Sequence, residues 1–140
     1  MMKTRFIYLL LAVFAIPFLS CESDKPTPAA DPVYKVEYTF SIDQGDYSDV
    51  VLKYIDENGE LITLTNPTLP WSFTINNAQT GQDYYVKSNF NAKPSAVFKS
   101  KTQLVFYKDA GMTRNENCSQ NFTNLTITAP LSCEGSGTLY

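Results

Sequence analysis

The chain has 140 residues, of which 44% are hydrophobic, 14% aromatic and 18% charged, and its formal net charge is −3. It contains no histidine, which excludes Ser-His and Cys-His nucleophiles and removes the commonest transition-metal ligand. The acidic balance argues against a nucleic-acid partner, which would require a basic face.

The N-terminal segment is organised like an export signal. Lys3 and Arg5 precede an apolar run over residues 6–19, and Cys21 follows after one small residue. The run is shorter than the roughly 20 apolar residues that cross a bilayer as a helix. We therefore expect residues 1–20 to be a cleaved signal peptide.

The sequence at the cleavage position, Phe18-Leu19-Ser20-Cys21, resembles the lipobox of bacterial lipoproteins. The resemblance implies cleavage before Cys21, a thioether-linked lipid on its sulfur, and a fatty acyl chain such as palmitate on its new amino group. The protein would then be held in a membrane of the bacterial cell envelope, which we expect to be the outer membrane, on its periplasmic or surface face. Residues 21–32 contain three prolines and few bulky apolar residues, so they are expected to form a flexible tether.

After the tether, the hydrophobic pattern takes the period of two that is typical of half-buried strands. Val33–Ile42 alternates between apolar and polar side chains and predicts a first strand, followed by a polar loop at Asp43–Ser48. Asp49–Asp56 and Glu60–Asn66 predict a hairpin, because Asn58-Gly59 between them is a favoured hairpin turn.

Pro67 and Pro70 break strand pairing, so we expect the chain to cross between two sheets at this point. Trp71, Phe73 and Ile75 then alternate with polar residues and are expected to face the core. The remaining expectations are strands at Asp83–Phe90, within Ala96–Lys108, at Asn124–Thr128 and over roughly Cys133–Tyr140, with an irregular polar stretch at Gly111–Phe122.

The whole pattern predicts an all-β protein, an antiparallel β-sandwich of seven to eight strands over residues 33–140. A small closed barrel is the alternative architecture.

Cys118 and Cys133 are expected to form a disulfide, because export places the chain where disulfides persist and Cys21 is used for lipidation. The bridge would close a loop of about 15 residues. Metal binding by the two thiols is the weaker alternative, since no histidine can complete the site.

Asp43, Asp46 and Asp49 place three carboxylates in one predicted loop, and a hard cation such as calcium takes several oxygen ligands from loops of this kind. Their spacing is not that of an EF-hand, and the sequence favours a solvated turn. No pair of carboxylates lies in a catalytic motif, so we expect a non-enzymatic protein without a cofactor.

The block Val50–Ile75, in which Leu69-Pro70-Trp71-Ser72 is the distinctive part, resembles the MmpS family of small membrane-anchored proteins and its lipoprotein relatives in Bacteroidetes. The resemblance implies an immunoglobulin-like β-sandwich in which Pro70 sets a bend and Trp71 fills the core. It offers no catalytic residues. Mycobacterial members of the family assist large efflux transporters.

We therefore expect an envelope-anchored, non-enzymatic lipoprotein whose sandwich binds an envelope protein, as an accessory to transport. The membrane would be contacted through the N-terminal lipid. The alternative is a surface module that binds a glycan or a lipid, in which exposed aromatic rings and the acidic loop contact a small ligand.

Overall fold

The computed structural model describes residues 30–140, so the predicted signal peptide, Cys21 and most of the tether lie outside the described residues. Residues Asp31–Tyr140 cluster as one unit. The all-β fold class is confirmed. The strands are β1 (Tyr34–Gln44), β2 (Tyr47–Ile55), β3 (Leu61–Thr65), β4 (Trp71–Ile75), β5 (Asp83–Ala92), β6 (Ser95–Lys108), β7 (Gly111–Leu125) and β8 (Ala129–Thr138).

The strands pair into two four-stranded antiparallel sheets. Sheet 1 has the order β4-β1-β6-β7, and sheet 2 has the order β3-β2-β5-β8. The β2–β3 and β6–β7 connections stay within a sheet, and the other connections between these strands cross to the opposite sheet. The predicted sandwich is confirmed, and the sheets stay separate instead of closing into a barrel. β1 and β2 lie in opposite sheets, whereas the first two strands of a constant-type immunoglobulin domain share one.

The core consists of the inward-facing residues of both sheets. In β1, Val36, Tyr38 and Phe40 are fully buried, as the predicted alternation of this strand requires. Burying one large apolar side chain stabilises a fold by roughly 1.5–3 kcal/mol. The largest buried side chains come from β1, β2, β5 and β6, the inner strands of the two sheets: Tyr38, Phe40, Leu52, Tyr84, Phe98, Leu104 and Phe106.

A covalent bond and a hydrogen bond join the two sheets at one level of the sandwich. Cys118 of β7 and Cys133 of β8 form the predicted disulfide, with their Cα atoms 5.4 Å apart. Thr102 of β6 is in register with Cys118, and Ser88 of β5 is in register with Cys133. The hydroxyl oxygens of Ser88 and Thr102 lie 2.7 Å apart in the buried core and share a hydrogen bond. We term these four residues the cross-sheet clamp.

Two turn predictions are confirmed. β2 and β3 form a hairpin in which Ile55 pairs with Leu61. Gly59 in its turn has a φ of 80°, which glycine adopts without steric cost. The β3–β4 connection crosses from sheet 2 to sheet 1 and contains a cis peptide bond between Leu69 and Pro70.

The prediction of an irregular stretch at Gly111–Phe122 is wrong, because these residues belong to β7, which pairs with β6 along its length. β7 is an edge strand whose inward side includes Cys118 and Phe122 and whose outward side is exposed and, apart from Met112, polar. A strand with so few apolar residues lacks the alternation on which strand prediction depends. The strand expected at Asn124–Thr128 does not form, and β8 begins earlier than expected, at Ala129.

The predicted loop at Asp43–Ser48 is mostly strand. β1 extends to Gln44 and β2 begins at Tyr47, so a two-residue turn connects them. Gly45 in this turn has a φ of 94°, and a Cβ added there would lie 2.6 Å from the Phe98 ring. Glycine is therefore required for both conformation and space.

Because the strands are antiparallel, their connections collect at two ends of the sandwich. Residues 30–33, where the chain enters, lie at one end with the β2–β3, β4–β5 and β6–β7 connections. A hydrogen bond of 2.7 Å from the Asp109 N–H to the Val33 carbonyl joins two of these segments. We term this end the entry pole. The far pole holds the other four connections, and there the Lys93 N–H donates to the Asp46 carbonyl at 2.9 Å.

Removing the disulfide is expected to destabilise the sandwich without changing its fold. The two cysteines are separated by 15 residues, and closing a loop of that length contributes about 3 kcal/mol. Urea unfolding of a Cys118→Ala/Cys133→Ala double variant should show a loss of this order. A reductant should lower the stability of the natural chain and leave that of the double variant unchanged. Equal stability of the two proteins under oxidising conditions would contradict the expectation.

Candidate functional site

The motif Leu69-Pro70-Trp71-Ser72 lies at the far pole, where β4 begins. Pro70 and Ser72 are exposed, and Trp71 is half-buried. The Trp71 ring packs against Tyr54, with ring centroids 5.0 Å apart. Trp71 thus lies at the margin of the core instead of filling its centre, because β4 is a five-residue edge strand that leaves this side of the sandwich partly open.

The three predicted metal-binding aspartates, Asp43, Asp46 and Asp49, are all exposed. The carboxylate of Asp49 accepts hydrogen bonds from the Ser48 hydroxyl and from the Asn91 amide, both at 2.9 Å. Both bonds lower the pKa of Asp49 below its ordinary value, and the bond from Asn91 has the larger effect. In residues 30–140 no three His, Cys, Asp or Glu side chains gather as a metal site would require.

Asp49 stands in a β-bulge that directs its carboxylate toward Asn91. The register of the β2–β5 pair shifts around Asp49, and its φ is 56°, in the left-handed region. Asn66 fixes the bulge from the neighbouring connection. Its side-chain oxygen accepts from the Val50 N–H at 3.0 Å, and its own N–H donates to the Val50 carbonyl at 2.7 Å.

A hollow of about 240 Å³ opens beside this bulge, and we term it the far-pole hollow. Asn89, Asn91 and Ser132 belong to no recognisable motif, so the sequence gives no signal that they lie in a site. They come together through the pairing of β5 with β8, which places Asn89 opposite Ser132. The hollow is lined by Asp49, Asn89, Phe90, Asn91, Pro130, Leu131 and Ser132.

The most exposed aromatic rings lie far apart. Tyr47, at the far pole, is 38% exposed, and Tyr140, at the entry pole, is 90% exposed. The inward-facing rings of the inner strands are buried in the core: Tyr38, Phe40, Tyr54, Tyr84, Phe90, Phe98 and Phe106. The two exposed tyrosines therefore form no shared stacking platform.

The two sheets have four edge strands, β3, β4, β7 and β8. An edge strand presents unpaired N–H and C=O groups with which another chain can pair. β3 and β4 contain five residues each, and Pro67 and Pro70 lie between them. Short strands next to prolines offer little edge for pairing.

The edge of β8 is covered by side chains of β7. Gln120 donates from Nε2 to the Ser132 carbonyl at 3.3 Å, and Arg114 donates from Nη2 to the Ser136 carbonyl at 3.4 Å. Gly137 makes room for this arrangement, because a Cβ added there would lie 2.9 Å from Arg114 Nη1. The glycine-rich end of β8 is thus matched to the side chains that cover it.

β7 is the long edge that stays open within the described structure. It has 15 residues and pairs with β6 on one side. It contains no proline, and Arg114 and Glu116 are its only charged residues. The first part of β7 carries a bulge next to Met112 and the inward-pointing charges of Arg114 and Glu116, which are devices that protect edge strands. Residues 117–125 contain no proline, no charge and no bulge, so this part of the edge is unprotected. On its outer face, β7 exposes Met112 near its start and then polar side chains: Asn115, Asn117, Ser119, Asn121 and Thr123.

The outer face of sheet 1 carries one half-buried polar cluster. Glu37 accepts from Lys35 Nζ at 2.7 Å and from the Tyr107 hydroxyl at 2.8 Å, and Lys35 Nζ lies 4.1 Å from the centroid of the Tyr107 ring. The hydrogen bond from Lys35 is the largest cause that lowers the pKa of Glu37. The bond to Glu37 also raises the pKa of the Tyr107 hydroxyl. Every partner in this cluster is satisfied, which indicates a structural role.

No helix within residues 30–140 is long and apolar enough to span a membrane. A comparison of the chain with protein-family models, curated proteins and solved structures finds no match. The resemblance to the MmpS family therefore stays a prediction.

The polar cluster gives an expected pH dependence. The pKa of Glu37 is lowered from its ordinary value of 4.5. The ionised Glu37 carboxylate therefore stabilises the fold at pH values above about 4.5, and this stabilisation is lost as the pH falls through the pKa of Glu37 in the folded protein. Glu37→Gln should be less stable than the natural chain at neutral pH and equally stable in strong acid, as measured by urea unfolding at several pH values. When Tyr107→Phe is also present, the difference in stability at neutral pH between Glu37→Gln and the protein with Glu37 should be smaller. A pH-independent gap between Glu37→Gln and the natural chain would contradict this role.

Proposed function

We propose that the protein is a non-enzymatic lipoprotein of the bacterial cell envelope, whose sandwich holds a partner protein close to a membrane. The open edge of β7 carries the proposal, because it is a long pairing surface in a fold whose other edges are short or covered. A partner would add an extended segment beside β7 and so extend sheet 1. An accessory role in envelope transport is the broader function that we infer from the resemblance of Val50–Ile75 to the MmpS family.

The anchor is the second part of the proposal. It rests on the apolar run over residues 6–19 followed by Cys21. Residues 30–33 enter at one end of the sandwich, so a lipid at Cys21 would connect the sandwich to the membrane through its entry pole. The tether after Cys21 would span about 40 Å at most if it were fully extended. β7 runs between the two poles, so its edge would be available to a neighbouring membrane protein within the reach of the tether.

The chemistry of the edge suggests the kind of partner segment. Main-chain hydrogen bonds supply affinity in strand addition, and alternate side chains supply specificity. From Asn115 onward, the outer-face side chains of β7 are amides and hydroxyls, with Lys99 and Lys101 on the adjacent strand β6. A partner strand with polar or acidic side chains on this face would match them, whereas a lysine-rich strand would not.

Cys21→Ser tests the anchor. The variant should lose the lipid and move from the membrane fraction to the soluble fraction of fractionated cells. It should keep the Cys118–Cys133 bridge, since the folded unit that contains the bridge begins at Asp31. Mobility on a non-reducing gel reports the bridge. A Cys21→Ser variant whose mass still includes the lipid would exclude a lipid anchor at Cys21.

Site-specific photocrosslinking in intact cells tests the partner surface. A photoreactive residue at Asn121, exposed on β7, should give a discrete adduct with an envelope protein. The same group at Thr63, exposed on the short edge strand β3, is the matched control and should give none. Absence of an adduct from Asn121, or the same adduct from both positions, would count against strand addition at β7.

A further inference from the structure

We propose that the far-pole hollow binds a small neutral ligand rich in hydroxyl groups, such as one sugar residue of a glycan. This binding does not depend on a partner at β7. The hollow has a volume of about 240 Å³, below the roughly 300–1,000 Å³ of pockets that enclose drug-sized ligands. A single sugar ring matches that size better than an oligosaccharide.

The hydrogen-bonding groups of the hollow suit hydroxyls. Asp49 uses Oδ2 for its bonds from Ser48 and Asn91, which leaves the capacity of Oδ1 for a ligand. In the described structure, the Asn89 amide and the Ser132 hydroxyl make no side-chain hydrogen bond of their own. A carboxylate only accepts, an amide donates and accepts, and a hydroxyl does both. Vicinal hydroxyls of a sugar also donate and accept, so the two sets are complementary.

Other ligand classes fit less well. No lysine or arginine lines the hollow, so a phosphate or carboxylate ligand would face the Asp49 anion without a paired cation. Lys93 is close enough to act on Asp49, but it lowers the pKa of Asp49 less than the bonds from Asn91 and Ser48 do. Calcium takes six to eight oxygen ligands, usually from several carboxylates, and this hollow supplies one carboxylate. An apolar ligand would leave the amides and the carboxylate unpaired.

Pro130 supplies the apolar part of the site on the face that carries Asn89 and Ser132, whereas Leu131 lines the hollow from the core side, where it pairs with Phe90. Both line the hollow next to the polar residues. A pyranose ring has hydroxyls at its rim and C–H groups on its faces, so it needs one apolar surface and one polar surface. The hollow offers both without an aromatic platform, which the two exposed tyrosines do not provide.

The backbone fixes the position of the acidic group. Residues other than glycine with positive φ cluster at functional sites, and β-bulges redirect side chains at such places. Asp49 has both features, and Asn66 holds the bulge by two hydrogen bonds to Val50. The Asp49 carboxylate is therefore set in place before a ligand arrives.

The far pole is also the accessible end. Residues 30–33 leave from the entry pole, so a chain held at its N-terminus would present the far pole away from the attachment point. A glycan in the envelope space would reach the hollow without passing the tether.

Saturation-transfer NMR on the full chain in detergent micelles tests the site. The probes are glucose, galactose, mannose and N-acetylglucosamine, with glucuronate, inorganic phosphate and calcium as separate samples. At least one neutral sugar should give saturable transfer. Asn89→Ala should weaken its binding about tenfold, the effect of one lost hydrogen bond to a ligand. Ser136→Ala, on the same strand β8 but outside the hollow, should leave binding unchanged.

Asn89 makes no side-chain hydrogen bond in the described structure, so Asn89→Ala is expected to fold, and its urea midpoint checks this. If its midpoint falls, Asp49→Asn replaces it as the test variant and should also weaken sugar binding. The proposal is overturned if no neutral sugar binds, if only phosphate or calcium binds, or if the variants that fold bind as the natural chain does. A crosslink from Asn121 together with no sugar binding would sustain the partner surface and exclude the sugar site. Sugar binding without a crosslink from Asn121 would sustain the sugar site and count against the partner surface.

Discussion

The cross-sheet clamp is the constraint on which the rest of the structure depends. The disulfide joins the outermost strands, β7 and β8, while the Ser88–Thr102 hydrogen bond joins their inner neighbours at the same level. β7 has few apolar side chains with which to hold the two sheets together. The clamp therefore does what core packing cannot do on this side: it fixes the distance between the sheets. The side chains of Gln120 and Arg114 reach β8 because that distance is fixed.

The opposite side of the sandwich is held in a different way. There the edge strands β3 and β4 have five residues each, and no covalent bond joins them in the described structure. Aromatic packing between Tyr54, Trp71 and Phe73, with centroid separations of 5.0 Å from Tyr54 to each of the other two rings, holds this side. The β7–β8 side of the sandwich is thus held by a disulfide and by polar contacts, and the β3–β4 side is held by aromatic packing. On the β7–β8 side, the main-chain edge of β7 stays open. On the β3–β4 side, both edge strands are short.

Where a strand has one buried and one exposed face, its sequence was sufficient to predict it. The alternation around Tyr38 identified β1, the turn at Gly59 identified the β2–β3 hairpin, and the prolines near Trp71 identified the crossing. β7 could not be predicted in this way, because its inner face is filled by a disulfide and by polar side chains that cover β8. The pairing of Cys118 with Cys133 could be predicted because the expected export places the chain where disulfides persist, and because assigning Cys21 to lipidation leaves two cysteines. The far-pole hollow had no sequence signal, since Asp49, Asn91 and Ser132 belong to three strands that only the sheet order brings together.

The ladder order of sheet 1 has a mechanical consequence. Residues 30–33 lead into β1, β1 pairs with β6 from Tyr34 to Gln44, and β6 pairs with β7 over nearly all of its length. A pull on β7 from a bound partner, opposed by an anchor at the N-terminus, would run along these strands instead of across them. Hydrogen bonds loaded in shear share the force and break together, whereas bonds that are peeled break one at a time. With the proposed anchor and the proposed partner both in place, a chain with this strand order would carry tension between them while its core stays closed.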